Sequence, residues 1–245
     1  MLKEFRCDFH IHSCLSPCAE LGMYPRALVA ESLARGLDVI GICDHNASEN
    51  IQYILKAAAG KALTVFPGME ITSREEVHIL GLFESMESLL QLQDIVYQAL
   101  PGLNNEELFG CQAIVNEKDE VEGFNERLLI GSTTLDLRRV TEIIRDLGGI
   151  VVAAHIDRES FGILGQLGFF PDDVHFDALE ISFRTDPLRA RETYSIPDTQ
   201  AIIQSSDAHR IEEIGRVSTT IRLETPTVAE LKMAFASLQG RRIVK

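Results

Sequence analysis

Residues 7–18, CDFHIHSCLSPC, place one aspartate, two histidines and three cysteines within twelve positions. The whole chain of 245 residues has only seven histidines and five cysteines, so this crowding is a local feature. If residues 4–12 form a β-strand, their side chains alternate between its two faces. Asp8, His10 and His12 would then share one face, opposite an apolar one. The stretch therefore predicts metal-binding or proton-carrying groups on one side of a strand.

Short apolar runs alternate with amphipathic segments along the rest of the chain. Six apolar runs predict strands that are covered on both faces, at residues 37–43, 62–71, 77–83, 149–155, 177–182 and 200–206. Amphipathic segments predict helices at residues 25–35, 86–99, 135–147 and 227–238. This alternation predicts an α/β fold of parallel β-α units, which is either a barrel or a doubly wound sheet.

A polar segment at residues 104–131 interrupts the alternation. It has two short apolar runs on either side of a predicted turn at residues 116–119, so we expect an inserted β-hairpin. The hairpin is either a lid over a site or a solvated surface excursion. The length fits one barrel, and we expect residues 1–245 to form a single domain.

The formal net charge is −14. Nucleic-acid binding depends on clustered Lys and Arg, so this balance disfavours a nucleic acid as partner. The sequence has neither a signal-peptide core near residue 1 nor an apolar run of about 18 residues, which disfavours export and a membrane partner. With an odd number of cysteines, we expect a cytoplasmic protein with reduced thiols.

Six of the seven histidines lie on predicted strands or just beyond them, and His175 alone lies in loop-like sequence, where we expect it at the surface. The polar groups of the later strands are His45, Glu70, His78, His155, Asp207 and His209. One histidine at a strand end is usually structural, but many of them beside carboxylates would be costly to bury and would repel one another when charged. Divalent cations remove that cost, because carboxylates and neutral imidazoles are metal ligands. The pattern predicts a metal site.

Taken in order, these motifs resemble those of the PHP (polymerase and histidinol phosphatase) superfamily. The motifs are DFHIHS at 8–13, DHN at 44–46, GME at 68–70, His78, AH at 154–155 and SDAH at 206–209. The resemblance spans residues 5 to about 222. It implies a distorted seven-stranded β/α barrel, similar to a TIM barrel, with two to three divalent ions at the C-terminal ends of the strands. Zinc, manganese and iron are the metals it implies.

The resemblance also implies which residues bind each ion. The three sets are His10, His12, Glu70 and Asp207 for the first ion, Glu70, His78 and His155 for the second, and His45 and His209 for the third. Where the family often has another histidine for the third ion, this chain has Cys18. A Cys18 thiolate would favour an ion that tolerates soft ligands, such as zinc, whereas a buried Cys18 would leave the third site weak or empty.

Three arginines, Arg158, Arg184 and Arg210, follow predicted strands. A guanidinium in such a place can bind phosphate oxygens through two hydrogen bonds, and otherwise it pairs with a surface carboxylate. We expect one of the three to contact substrate, with Arg158 first. Asp8 and Asp44 would orient imidazoles from behind if they are not ligands themselves.

The predicted activity is hydrolysis of a small phosphomonoester, such as a nucleotide or histidinol phosphate, by a metal-dependent phosphoesterase. Two cations would make hydroxide available between them near neutral pH. Two alternatives stay open. One is a hydrolase of C–N or C–O bonds resembling the amidohydrolases, which usually depend on a strand-end lysine that is not apparent here. The other is a metal-binding regulatory domain without turnover.

Overall fold

The computed structural model describes residues 1–244, in which strands and helices alternate along the chain. The strands are β1 (Lys3–Ile11), β2 (Val39–Ile42), β3 (Thr64–Thr72), β4 (His78–Leu82), β5 (Ala113–Val115), β6 (Val121–Phe124), β7 (Ile150–Ala153), β8 (Ala178–Ile181), β9 (Ala201–Gln204), β10 (Thr219–Leu223) and β11 (Arg242–Ile243). The helices are α1 (Pro25–Ala34), α2 (Ile51–Ala58), α3 (Met86–Ala99), α4 (Glu106–Phe109), α5 (Leu137–Asp146), α6 (Ile163–Leu167), α7 (Pro187–Thr193) and α8 (Val228–Phe235).

Nine of the strands form one sheet that curls into a nearly closed barrel, in the order β11-β10-β1-β2-β3-β4-β7-β8-β9. The α/β prediction is confirmed, but the predicted count of seven strands was wrong. After β9 the chain turns back, and β10 pairs antiparallel with β1 while β11 pairs antiparallel with β10. These two strands therefore extend the sheet beyond the seven that the sequence pattern indicates.

Strand β4 departs from the expected parallel arrangement, since it runs antiparallel to both β3 and β7. The connection from β3 is a tight turn in which the N–H of Ser73 donates to the carbonyl of Val77 at 2.9 Å. So short a connection cannot make the crossover that a parallel pair requires. As a result β4 begins where β3 ends, and His78 at its first position lies at the same edge of the barrel as Glu70.

The barrel closes along β1. Its first half pairs with β10, and its last residue, Ile11, forms a parallel bridge with Ala208 just beyond β9. At this seam the N–H of His12 donates to the carbonyl of Ala208 at 3.0 Å, and the N–H of Ala208 approaches the carbonyl of His10 at 3.4 Å. The seam therefore lies directly beside the histidines of the opening motif.

Two large apolar clusters cover the two faces of the sheet. One packs Phe9, Phe66 and Leu82 with residues of α8, and the other packs Ile11 with the remaining helices. Phe9 and Ile11 fall in different clusters because the pairing of β1 with β2 shifts register between Asp8 and Ile11. Strict alternation is lost at such a bulge.

The insertion contains the predicted hairpin, in which β5 and β6 pair antiparallel. It packs on the loops that follow β1 and β2. The side chain of Asn50 donates to the carbonyl of Ala113 at 3.0 Å and accepts from the N–H of Val115 at 2.9 Å. Asn46 donates to the carbonyls of Leu129 and Gly131. The insertion thus supports the loops at one edge of the barrel.

The helices described for residues 1–244 are all too short or too polar to cross a membrane.

Candidate metal centre

Glu70, near the end of β3, lies at the centre of a buried cluster of side chains from six strands. Its Oε1 atom lies 2.8 Å from His78 Nδ1 and 3.2 Å from His155 Nε2. Its Oε2 atom lies 3.0 Å from His45 Nδ1 and 3.4 Å from His12 Nε2. Both carboxylate oxygens are therefore surrounded by imidazole nitrogens, which is the geometry expected of a bridging carboxylate.

A second carboxylate, Asp207, stands between the histidines of β1 and the outer edge of the cluster. Its Oδ1 atom lies 3.1 Å from His12 Nε2 and 3.3 Å from His10 Nε2. His209 Nδ1 lies 3.6 Å from the same oxygen. Eight of the nine predicted ligands, all except Cys18, thus meet in this cluster.

Several of these atoms are buried without a hydrogen-bond partner, namely His45 Nδ1, His78 Nδ1 and Glu70 Oε2. Although they lie within about 3 Å of an opposite atom, their geometry does not form a hydrogen bond. Buried polar atoms are rarely left unpaired in proteins. We interpret these contacts as ligand atoms that point to a shared centre rather than to one another.

Three groups of ligand atoms lie close enough to hold an ion, with all their atoms within 4.8 Å of one another. They are His10, His12 and Glu70, then His45, Glu70 and His78, and finally His12, His45 and His209. Imidazole and carboxylate donors suit zinc, manganese and iron. The donor set therefore fits divalent metal ions, although His12 and His45 each belong to two groups and not to one as the resemblance implies.

Glu70 and His78 have protonation states that suit metal binding, whereas acidic neighbours outweigh burial and raise the pKa of His10 and of His45. Burial raises the pKa of Glu70, but His78, His10 and His45 outweigh this and hold that pKa well below its usual range. Burial lowers the pKa of His78 to about 4 against the opposing effect of Glu70. Carboxylate and neutral imidazole are the forms that coordinate metals.

Cys18 lies at the rim of the cluster, within hydrogen-bond reach of His45 and His209. The residue is exposed, but its sulfur is turned toward these imidazoles. Desolvation raises the pKa of its thiol, whereas the charge of His45 and the hydrogen bonds to both histidines lower it, with a net result of about 5. The thiolate, which is the form that binds metals, is thus favoured. Cys7 and Cys43 are buried among apolar side chains, where they act as packing residues.

Glu180 of β8, which the sequence analysis missed, orients two of the histidines. Its Oε1 atom lies 3.0 Å from His10 Nδ1 and accepts the backbone N–H of His155 at 3.2 Å. A carboxylate behind a histidine fixes its tautomer and makes it a better ligand. The available signal was an acidic residue inside the apolar run of residues 177–182.

Ser16 orients His12 in a similar way. The Ser16 hydroxyl donates to Asp44 at 2.7 Å, and its lone pairs accept the backbone N–H of His45 at 3.1 Å. His12 Nδ1, 3.0 Å from the same oxygen, must therefore be the protonated nitrogen. This leaves the lone pair of His12 Nε2 directed at Glu70. Asp44 thus acts on His12 through Ser16.

Asp8, which we expect to orient an imidazole from behind, bonds to backbone groups beyond β9. The carboxylate of Asp8 accepts the backbone N–H groups of Ser206 at 2.9 Å and Gly215 at 3.0 Å. The bulge in β1 explains the difference, since it removes Asp8 from the face that carries His10 and His12. Burial raises the pKa of Asp8 to about 6, although these hydrogen bonds oppose the shift.

Of the three predicted arginines, only Arg158 touches the cluster, through Nη1 at 2.6 Å from Asp207 Oδ2. Arg184 lies over the ring of Phe183, with its Cζ atom 5.4 Å from the ring centroid. Arg210 pairs with Glu20 at 3.2 Å, and both side chains are exposed. His175 is exposed, as expected.

The backbone is strained at two of the clustered residues. His155 and Asp207 have φ angles of 28° and 48°, a region that side-chain-bearing residues rarely adopt. Each such conformation costs about 1–3 kcal/mol and tends to occur at functional sites. The Glu180 contact to the N–H of His155 holds one of these turns in place.

No family model matches the chain. It is 22% identical to the uncharacterized protein YqxK of Bacillus subtilis over 257 residues, which cover 99% of this chain and 65% of YqxK. The lesion-specific Endonuclease Q of Pyrococcus furiosus has a TM-score of 0.73 at 18% identity, over 98% of this chain and 58% of that one. A Bifidobacterium adolescentis protein assigned as a metal-dependent phosphoesterase has a TM-score of 0.54 at 18% identity, over 83% of this chain and 87% of that one.

The chain shares their fold. The barrel-like α/β fold that the resemblance implies is therefore confirmed, and the grouped side chains could hold metal ions. The chain spans less than two thirds of the length of YqxK and of Endonuclease Q.

The expectation that nucleic acid is disfavoured as a partner was wrong. Endonuclease Q, which shares the fold of this chain, binds a 27-mer duplex substrate with an abasic lesion at its active site. This complex matches 98% of the present chain with a TM-score of 0.71 at 19% identity. Net charge describes the whole molecule, whereas a phosphate backbone responds to the local field. In this chain Arg158, Arg184 and Arg210 all follow strands at the edge that holds the cluster.

Proposed function

We propose that this protein is a metal-dependent phosphoesterase and that its substrate is a phosphate ester within a nucleic acid. The observation that carries the proposal is the buried set of imidazoles around Glu70, with an arginine at its rim. The duplex bound by Endonuclease Q supports a nucleic acid as the substrate class.

Three ion positions account for the cluster. We assign Glu70 as the bridge between two of them and Cys18 as a ligand of the third, beside His45 and His209. Divalent ions held there would supply Lewis acidity toward a phosphoryl group. Buried carboxylates, neutral imidazoles and a Cys18 thiolate would hold them with their charge partly compensated.

Arg158 is the residue that we assign to the substrate phosphate. Its side chain is 38% exposed and is held at Nη1 by Asp207. A guanidinium has five N–H donors in a fixed plane, so one contact to Asp207 leaves donors for phosphate oxygens. Asp207 would thus position both a metal ion and the arginine that binds the phosphate.

The chain offers little support for the amidohydrolase alternative. Those enzymes usually depend on a lysine at a strand end, whereas every lysine within residues 1–244 is exposed or half-buried. The regulatory alternative would be favoured by missing ligands, yet eight of the nine predicted ligands lie together around Glu70 and Asp207.

The test combines metal analysis with a substrate panel. The panel holds single-stranded and duplex oligonucleotides, with and without an abasic site, and small phosphomonoesters, each with manganese or zinc. We expect two to three ions per chain and hydrolysis of an oligonucleotide. Glu70→Gln should lower the ion content and should lower turnover by at least about 100-fold. The exposed Glu87→Gln is the matched control and should change neither. Full turnover in Glu70→Gln, or no hydrolysis of any phosphate ester by the metal-loaded protein, would contradict the proposal.

A further inference from the structure

An apolar ring is presented to solvent beside the metal cluster. Phe183 is 40% exposed and lies in the turn just after β8, at the edge of the barrel where the strand-end ligands meet. Neither the metal cluster nor Arg158 accounts for a phenyl ring at this place.

The turn that carries Phe183 is held firmly on both sides. The carboxylate of Asp157 accepts the N–H and the hydroxyl of Ser182 at 2.8 and 2.6 Å, and the hydroxyl of Thr185 at 2.5 Å. The side-chain amide of Gln204 donates to the carbonyls of Ser182 and Thr185 at 3.2 and 3.1 Å. Five hydrogen bonds within four residues fix the ring in an exposed position.

Two guanidinium groups lie over the ring, and that of Arg184 is the more distant, with its Cζ atom 5.4 Å from the ring centroid. The Cζ atom of Arg216 lies 3.9 Å from the ring centroid of Phe183. Arg216 is itself anchored, since its Nε and Nη2 atoms donate to the carbonyl of Ser206 at 3.0 and 2.6 Å. Ser206 precedes the proposed ligand Asp207, so the ring is connected through Arg216 to the metal-binding loop.

We propose that Phe183, backed by Arg216, is a stacking platform for an unpaired nucleobase whose neighbouring phosphate lies at the metal cluster. This rests on the proposed phosphoesterase function and adds the feature of the substrate that is recognised. An exposed aromatic ring can stack on any base, because every base has a π-face. Arg184 and Arg216 over the ring, together with Arg158 at the rim of the cluster, favour a polyanion over an apolar peptide as the occupant.

The chain has no tryptophan, so Phe183→Trp introduces a single tryptophan at the platform, which can be excited selectively beside the four tyrosines. The full metal-loaded chain is mixed rapidly with a ten-nucleotide oligothymidylate, and fluorescence is read before hydrolysis accumulates. The matched probe has the same length and phosphate charge but abasic sugars throughout. We expect strong quenching by oligothymidylate and little by the abasic probe. Thymidine monophosphate forms a third arm, and its quenching would identify a free nucleotide as sufficient.

The control variant is Phe169→Trp, whose parent ring is 61% exposed and lies just after α6. It should not be quenched differently by the two oligonucleotides. Equal quenching of Phe183→Trp by both probes, or none by either, would overturn the platform.

A second variant guards against misfolding of Phe183→Trp. Phe183→Ala should weaken binding of labelled oligothymidylate by about 10-fold and binding of the abasic probe by less than about 2-fold. An equal loss for both probes would contradict base stacking. Hydrolysis of an oligonucleotide without base-dependent quenching would contradict the stacking platform but not the phosphoesterase proposal. Base-dependent quenching without hydrolysis would contradict the phosphoesterase proposal but not the stacking platform.

Discussion

At the residue scale, one hydroxyl group sets which nitrogen of the His12 imidazole carries the proton. The Ser16 proton is committed to Asp44, so Ser16 can only accept from His12 Nδ1. Without that acceptor, the imidazole can place its proton on Nε2, the atom directed at Glu70 and Asp207. A protonated Nε2 cannot coordinate an ion, because coordination uses its lone pair.

We therefore expect Ser16→Ala to weaken metal binding by about 10- to 100-fold, the usual effect of losing a partner behind a ligand. Competition titration with a metal indicator measures the affinity, and ¹⁵N shifts of the His12 ring report its tautomer. Ser48→Ala is the matched control, since Ser48 is buried and bonds to Gln93 rather than to a histidine. If Ser16→Ala changes neither the metal affinity nor the His12 tautomer, the Ser16 hydroxyl is not needed to set that tautomer.

At the scale of the strands and helices, the apolar runs predicted where most strands lie in the sequence but not the direction in which each strand runs in the sheet. Strands β1 to β4 and β7 to β9 were predicted within a few residues, because buried strands read as continuous apolar segments. Strand β10 was missed, since TTIRL alternates polar and apolar residues and is not a continuous apolar run. The direction of β4 was readable from the short connection before it, which excludes a parallel crossover.

The same limits apply to the site. That eight of the predicted ligands lie close together could be predicted, because the ends of barrel strands converge even when they are far apart in the sequence. Asp8 was misplaced because a bulge cannot be read from the alternation that it breaks. Ser16 gave no signal at all, since its role depends on the loop conformation that brings it between Asp44 and His12.

The insertion supplies a prediction at this scale, because Asn50 ties it to the loop after β1. Asn50→Ala loses hydrogen bonds to Ser13, Ala113 and Val115 and leaves backbone groups of the hairpin unpaired. We expect the free energy of unfolding to fall by about 3 kcal/mol, measured by urea titration. Asn105→Ala, which removes only the exposed cap of α4, should cost about 1 kcal/mol or less. Equal midpoints for the two variants would contradict a supporting role for Asn50.

At the scale of the whole molecule, the net charge of −14 and the arginines at the metal edge act over different distances. Screening limits the long-range repulsion of a polyanion to about 8 Å at physiological salt. Contacts made within that distance depend on the local arginines. The acidic surface should therefore limit non-specific binding without preventing an oligonucleotide from reaching the cluster.

We expect the salt dependence of oligonucleotide binding to be shallow. With about three arginines neutralising phosphates, the slope of log affinity against log salt should be near −2 to −3. Fluorescence anisotropy at several salt concentrations measures it, and Arg158→Ala should reduce the slope by about one. A slope near zero would argue against phosphate contacts, and an unchanged slope in Arg158→Ala would remove that residue from the phosphate site.

Metal loading should also govern thermal stability. A ligand present at about 100 times its dissociation constant stabilises the native state by about 2.7 kcal/mol, which corresponds to a rise in Tm of about 5–10 °C for a chain of this size. We expect a chelator to lower the Tm by that amount and added zinc or manganese to restore it, measured by differential scanning fluorimetry. Glu70→Gln should respond to neither treatment. If a chelator leaves the Tm of the wild-type protein unchanged, this would contradict the binding of metal ions by the cluster.

The barrel seam has a further consequence for this protein. His10 and His12 belong to one side of it, while Asp207 and His209 belong to the other, and a few backbone contacts around Ala208 join the two. An ion coordinated from both sides would link β1 to the loop after β9 and stabilise the seam. Deuterium should then replace the amide hydrogen of His12 much more slowly in metal-loaded than in chelated protein. The rate of ion dissociation should follow the rate at which the seam opens.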